Sequence, residues 1–564
     1  MGPQWMLHPT PPDALTRPLR EGLGLHPLVA EILVRRGVDS PEAAQRFLQP
    51  GLEQLHDPFL LMHMSRAVEA IVRALREGRH IVISGDYDVD GITATALLYR
   101  FMQDAGAARV SRFIPNRFAH GYGLTPKTVE ALLALQPELV VTVDNGITAI
   151  DEVARLQAAG VETVITDHHL PAERGVPGGV VVNPRQPGCP YPFKGISGVG
   201  VAFKLIMALR KVLRDEGWWT DARPEPNLKA FLDLVAVGTV ADVVPLQDEN
   251  RVFVQHGLDV MRQGGARLGL ATLARVVGVK QMNARAIGFQ IAPRINAAGR
   301  MTEGALGVDL LLAEDISQAE ALARQLDEEN DRRRAVGQEM LEAAQAAIAA
   351  EGLDAAPALV VASPAFHEGI IGIVAARLVE LYRKPAVVLA ENGTAYKGSA
   401  RSVDGINVTQ AITACADLLL AFGGHAGAGG CTLPKEALTE FRERFARACA
   451  EQAGTAGSPP LLLDGRLRPD QVDAQLVEQM LRLEPFGHLN AEPSFLLDAA
   501  DLPGEPRPLG QRHLKWQLSN DLEVVAWGLA EAYRPGVGCR VRMEFNEFRG
   551  RRKVQLVVQE QAPE

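Results

Sequence analysis

The segment IVISGDYDVDGITATALLYRFM (residues 81–102) decides the fold. Its apolar run Ile81–Ile83 ends in Ser-Gly, a polar turn carries Asp86, Asp88 and Asp90, and an Ala/Leu-rich stretch follows. That order predicts strand, loop and helix. The pattern recurs. ELVVTVDNGITAIDEVARLQAAG (138–160) repeats strand, loop and helix, VETVITDHHLP (161–171) is a strand entering a loop, and GGVVVNP (178–184) is a fourth strand. Short apolar runs alternating with helices predict a parallel sheet covered by helices on both faces, so the fold class is α/β.

Open sheets of this kind bind ligands beyond the carboxyl ends of their strands, where the strand order reverses. Three strands here run into Asp86–Asp90, Asp144-Asn-Gly and Asp167-His168-His169. A fourth contribution comes from GTVADVVPL (238–246), where an apolar helix runs into Asp242. Carboxylates gathered so closely repel one another and require a cation. Mixed Asp and His ligands shift the preference from magnesium towards manganese, iron or zinc. The number of candidate ligands suits two ions about 3.5–4 Å apart, the geometry of phosphate-ester hydrolysis. Asp167 is expected to orient a ligating histidine rather than to bind metal.

Further along, Ser317-Gln-Ala-Glu320 reads as a capping box opening a helix that reaches Gly352, roughly 50 Å at 1.5 Å per residue. A second α/β unit follows, with PALVVAS (357–363), KPAVVLAENG (384–393) and KGSARSVDGINV (397–408). It closes near Cys449, before the linker EQAGTAGSPP (451–460). HLKWQLS (513–519), LEVVAWGL (522–529), CRVRMEFNEF (539–548) and RKVQLVVQE (552–560) predict a small OB-like barrel. The expected domains are a helical segment 1–70, a catalytic domain 71–314, a connecting helix 315–352, a second α/β domain 353–452 and the barrel 460–564.

GDYDVDGITAT, VTVDNGIT, ITDHHLP and GTVADVVPL together resemble the four motifs of the DHH phosphoesterases. FGGHAGAGG (422–430) resembles the glycine-rich signature of the DHH-associated domain. RFIPNRFAHGYGL (112–124), NPRQPGCPYPFKGISGVGVAFKL (183–205) and IAPRINAAGRM (291–301) resemble the RecJ-like branch. The resemblance implies Asp88, Asp90, Asp144, His168 and Asp242 as metal ligands, with Asp86 and His169 beside them in catalysis and His169 facing the scissile phosphate. It implies a metal-dependent exonuclease that shortens single-stranded DNA from the 5′ end to mononucleotides, using two divalent ions with manganese preferred and magnesium accepted. A single-strand-binding protein and a helicase are the implied partners in repair and recombination. An oligonuclease or cyclic-dinucleotide phosphodiesterase is the alternative, and a DNA-binding scaffold without catalysis the second.

Arg117, Arg294, Arg300 and Arg401 are candidates for holding phosphates, because a guanidinium fork binds phosphate bidentately. Ser399 and His425 are candidate hydrogen-bond donors to the same strand. In the barrel, Trp516, Trp527, Phe545 and Phe548 interleave with Arg549, Arg551, Arg552 and Lys553, a pattern suited to stacking bases and holding backbone. Strand alternation turns some of these aromatics inward, so at most two are expected on DNA.

The net charge of −10 opposes a broadly basic surface, yet residues 507–553 hold ten Lys/Arg against five Asp/Glu. No apolar run approaches a membrane span, and the first twenty residues lack the basic start and apolar core of a signal peptide. Five scattered cysteines with no CxxC spacing fit buried thiols in a reducing cytoplasm. A cytoplasmic monomer without membrane contact is the expectation.

Overall fold

The computed structural model describes residues 4–121, 123–301, 304–453, 460–519, 521–548 and 550–563. Most of the linker (454–459), Arg549 and the Phe548 side chain lie outside the described residues. The chain forms two compact units, Trp5–Asp327 with Leu462–Glu564, and Glu328–Leu461.

The first unit is built on a five-stranded, wholly parallel sheet. Its order is Arg109–Phe113, His80–Gly85, Leu139–Val143, Glu162–Thr166, Val180–Val182. Both faces are buried, as continuous apolar strands require. Successive residues divide between two cores. Ile81, Ile83, Val141, Val143 and Val164 join one, while Val82, Val140 and Ile165 join the other. Helices Val89–Asp104 and Gly198–Asp215 cover the first face, and Pro126–Ala134 and Ile150–Ala158 the second.

A third core in this unit draws on both ends of the chain. Leu19, Val29, Ile32 and Leu33, from helices Asp13–Leu23 and Pro27–Arg35, pack with Leu476, Phe495, Trp516, Val524 and Leu556. The carboxy-terminal part is a seven-stranded sheet. Its order is Gly465–Arg466, Phe495–Leu497, Cys539–Phe548, Arg551–Gln561, Leu522–Ala526, His513–Gln517, Arg507–Leu509. All four strands expected from the sequence here are present.

Helix Ile316–Glu351 is continuous over 36 residues. Its cap is Asp315, whose Oδ1 accepts the Gln318 N–H at 2.9 Å. Ser317, read as the cap from sequence, already lies inside the first turn. Asp315 and Gln318 have the cap and third-position spacing that Ser317 and Glu320 share, so two candidate frames overlap there and the earlier one is used.

The second unit carries a five-stranded sheet. Its order is Ala421–His425, Ala428–Pro434, Ala395–Arg401, Ala386–Asn392, Leu359–Ser363, with only the last pair parallel. Its core includes Val387, Leu389, Phe441, Phe445 and the thiols of Cys415, Cys431 and Cys449. All five cysteines are free and buried. Among the described residues, no helix is long and apolar enough to cross a membrane.

Candidate metal centre

The parallel sheet reverses its order between His80–Gly85 and Leu139–Val143, and the acidic loops leave it there. Asp86 follows the first of these strands and is fully buried. Its Oδ1 accepts from the Tyr87 N–H at 2.7 Å. Asp88 caps helix Val89–Asp104, accepting from the Gly91 N–H at 3.1 Å. Asp90, in the first turn, reaches across to the start of helix Gly198–Asp215. The Gly198 and Val199 N–H groups donate to its two oxygens at 2.7 and 2.8 Å. Helix N-terminal amides are unpaired and carry partial positive charge, so they hold a carboxylate well.

Asp144 follows the neighbouring strand with φ +61°, a left-handed conformation uncommon for a residue with a Cβ. Gly198 is what makes room for it. A Cβ at Gly198 would lie 2.5 Å from Asp144 Oδ1. Asp242 ends helix Leu232–Ala241, as the sequence indicates.

The third strand delivers Asp167, His168 and His169. Asp167 Oδ1 accepts from the His168 N–H (2.7 Å), the His169 N–H (3.1 Å) and His169 Nδ1 (2.8 Å), and Oδ2 accepts from the Ile147 N–H (2.9 Å). Four donors occupy this carboxylate. His168 Nε2 lies 3.2 Å from Asp144 Oδ1, 3.5 Å from Asp242 Oδ2 and 3.9 Å from Asp90 Oδ2. Ligand atoms fall within 4.8 Å of one another in three overlapping groups: Asp86, Asp88 and Asp144; Asp144, His168 and His169; Asp90, His168 and Asp242.

Electrostatics set this cluster apart from an ordinary polar core. Burial, then the neighbouring Asp88, pushes the Asp90 carboxyl up to about 7. Burial, followed by nearby carboxylates, also raises Asp86, Asp144 and Asp242 well above the ordinary range. Asp167 goes the other way, because the His169 hydrogen bond and charge outweigh its burial. Burial and the adjacent His169 hold His168 down to about 4, leaving it neutral. His169 is raised to about 9: burial opposes its charge, but the Asp167 hydrogen bond and the surrounding carboxylates prevail. Asp86 Oδ2, Asp144 Oδ1 and Asp242 Oδ2 are buried and receive no hydrogen bond among the described residues. Buried acceptors of this kind cost stability unless a cation satisfies them, and this donor set of carboxylates with a neutral imidazole fits divalent metal.

Around the cluster, Arg117 lies over the Tyr87 ring, 5.5 Å from its centroid. Arg300 is close enough to Tyr87 to act on its hydroxyl electrostatically. Both therefore stand beside the Asp86–Asp90 loop. Arg294 pairs through Nε with Asp327 at 3.0 Å, and its Nη1 donates to Gln290 O at 3.0 Å. Sequence reasoning passed over Arg185, whose charge acts on both His168 and Asp242. It also missed the amide pair at Gly198 and Val199. The ISGVG run, with Ser197 capping the helix before two glycines, carries that signal.

In the second unit, Arg401 Nη1 donates to Ser399 Oγ at 2.9 Å, and both side chains lie against Gly372 in the first turn of helix Ile371–Tyr382. The strand Ala421–His425 is exposed along its length and forms an edge of the same sheet. Gly424 (φ +147°) has no room for a Cβ, which would lie 2.4 Å from Ala428 O.

The expected DNA contact of Trp516 is corrected. Its side chain is 2% exposed and packs edge-on against Tyr533 in the barrel core, 5.3 Å between centroids. The alternation of strand His513–Gln517 turns Leu514 and Trp516 inward. Trp527 is the exposed tryptophan of this region, at 49%, with His513 edge-on at 5.0 Å. Arg551 is exposed at the start of its strand, and Arg552 lies over the Phe545 ring at 3.5 Å.

A doubly wound sheet with an Asp/His cluster at its switch point defines a metal-dependent phosphoesterase of the DHH type. Residues 80–239 match the DHH family N-terminal domain, 355–451 the DHHA1 domain and 463–560 the RecJ OB domain. The single-stranded-DNA-specific exonuclease RecJ of Bacillus subtilis is 37% identical over 98% of this chain and 70% of its own length. The Escherichia coli RecJ is 35% identical over 95% of each chain. The crystal structure of Thermus thermophilus RecJ in complex with Mn2+ superposes with a TM-score of 0.83 at 33% identity, covering 100% of this chain and 80% of that one. The chain belongs to the RecJ family of single-stranded-DNA-specific exonucleases.

Proposed function

We propose that this protein hydrolyses single-stranded DNA from its 5′ end to mononucleotides, at two divalent ions held by Asp86, Asp88, Asp90, Asp144, His168 and Asp242. The observation that carries the reading is the set of buried carboxylate oxygens without donors at the sheet's switch point. The Thermus thermophilus RecJ structures in complex with Mn2+ and with Mg2+ support a divalent ion, and the neutral imidazole of His168 favours manganese. Ions bound there lower the pKa of an attacking water and offset charge on the phosphate.

The protein's own groups do the rest. Asp90, anchored by the Gly198 and Val199 amides, keeps a fixed orientation while presenting its charge. Asp167 holds His169 through Nδ1, which leaves Nε2 to face the non-bridging oxygen of the scissile phosphate. Arg117 and Arg300, beside Tyr87, hold the adjoining phosphates. Ser399, Arg401 and His425, in the second unit, are suited to bind phosphate, and Trp527 and Arg551 of the carboxy-terminal module are suited to bind the strand. A role in repair and recombination, beside a single-strand-binding protein and a helicase, follows the family. Incubation of 5′-labelled single strands with Mn2+ tests the reading. It requires label released as mononucleotide, and label retained on a duplex of the same sequence.

A further inference from the structure

Arg251 lies in helix Asp248–Arg262, in the catalytic core, and its side chain is nearly inaccessible to solvent. Its guanidinium has no carboxylate hydrogen-bond partner among the described residues. Four backbone carbonyls surround it instead. Nε donates to Phe47 O at 2.8 Å, Nη1 to Leu483 O at 3.0 Å, and Nη2 to Arg482 O at 3.2 Å and Glu484 O at 2.5 Å. The Phe47 ring lies 3.9 Å from the guanidinium carbon.

Those carbonyls are not a random set. Phe47 is in the last turn of helix Pro41–Leu48, and Arg482–Glu484 follow directly on helix Ala474–Leu481. Two helices from opposite ends of the sequence thus direct their negative ends at one buried cation. Burial, and then the neighbouring Arg36, lower its pKa to about 9, so it stays charged at neutral pH. Nearby, the Leu246 N–H donates to His488 O at 2.9 Å, and Arg36 donates to Asn490 Oδ1 and Ala491 O.

The same helix start holds the metal-site loops. Asn250, adjacent to Arg251, donates through Nδ2 to Gly195 O (2.7 Å) and Pro245 O (2.9 Å). Gly195 leads into the amides that grip Asp90, and Pro245 follows Asp242. One short stretch therefore fixes both the catalytic loops and the carboxy-terminal module.

We infer that Arg251 is a positioning residue, the pin that sets the carboxy-terminal strand-holding module against the catalytic centre and so governs grip on long substrates without touching the chemistry. This rests on the reading above that the module holds DNA. Two linked binding surfaces gain from each other only while their geometry is fixed, and a loosened link forfeits much of that gain.

The test compares wild type, Arg251→Met and Trp527→Ala, with Mn2+, on a strand long enough to reach the module and on the shortest strand wild type hydrolyses. Arg251→Met is expected to raise KM on the long strand by about tenfold or more, to leave kcat nearly unchanged, and to leave the short strand unaffected. Should Arg251→Met fold poorly, Arg251→Gln, which keeps donors without charge, carries the same expectation. An unchanged KM on the long strand, or an equal loss on both strands, overturns the inference. Trp527→Ala separates the two readings. If it raises the long-strand KM while folded Arg251→Met does not, the module holds DNA and the pin is refuted. If neither does, the reading of the module fails and the inference falls with it.

Discussion

Asp167→Asn alters one oxygen of a carboxylate that four protein N–H groups occupy. Oδ1 receives three N–H groups from His168 and His169, and Oδ2 receives the Ile147 N–H. An asparagine keeping its oxygen on the His169 side turns its NH2 towards the Ile147 N–H, donor against donor, in a fully buried position. An unsatisfied buried donor costs about 1–3 kcal/mol, and a charge-assisted bond to His169 lost or weakened adds about 1.5–3 kcal/mol. Allowing for relaxation and for the part-exposure of His169, a destabilisation of about 3 kcal/mol is expected. Activity falls further, because a histidine without its carboxylate partner loses orientation, typically about 10–100-fold in effect. The checks are urea unfolding of the metal-loaded protein and kcat on single-stranded DNA. A variant that keeps wild-type stability and kcat would refute the assignment of Asp167 as the orienting group.

Three further outcomes are expected. In the metal-free protein the raised carboxyl of Asp90, about 7 against an ordinary 3.8, means the fold binds that proton more tightly than the unfolded chain. Its contribution to stability is full below about pH 4 and is lost as pH rises through about 7, so the metal-free Tm should fall between about pH 4 and pH 7. Calorimetry with and without Mn2+ checks this, and a metal-free Tm that rises over the same range contradicts it. Lys204→Met strands Glu249, since the two side chains pair with no solvent exposure and Glu249 also accepts from Tyr191 and the His56 N–H. A loss of about 3–5 kcal/mol in urea unfolding is expected, partly recovered by Lys204→Met with Glu249→Gln. Arg401→Ala should weaken single-strand binding by about tenfold or more, measured by fluorescence anisotropy, while stability stays close to wild type.

The catalytic sheet was legible because each strand writes its own signal: an apolar run too short for a helix, followed by Asp, Gly or His. Asp86, Asp88, Asp90, Asp144 and His168 could be gathered from that alone, since a parallel sheet brings all its carboxyl ends to one edge. Asp242 follows a helix, yet the motif around it still placed it at the same edge. What the sequence hides is long-range. Nothing near residue 90 announces that Asp90 is held by amides 108 and 109 positions away. Likewise, no local pattern says that helices before residue 48 share a core with strands after residue 465. Trp516 and Trp527 show the limit of strand reading. Both are tryptophans in barrel segments rich in apolar residues, but Trp516 sits at an inward position of strand His513–Gln517 whereas Trp527 falls just past the end of strand Leu522–Ala526 and faces water.

The most direct test of the central claim is hydrolysis of 5′-labelled single-stranded DNA with Mn2+ by wild type and by Asp144→Ala. Asp144 contributes to two of the three overlapping ligand groups, so its loss should abolish turnover while single-strand binding persists. Wild type should release mononucleotides from the 5′ end and the variant none. Equal cleavage by both proteins, or release from the 3′ end, would contradict the claim.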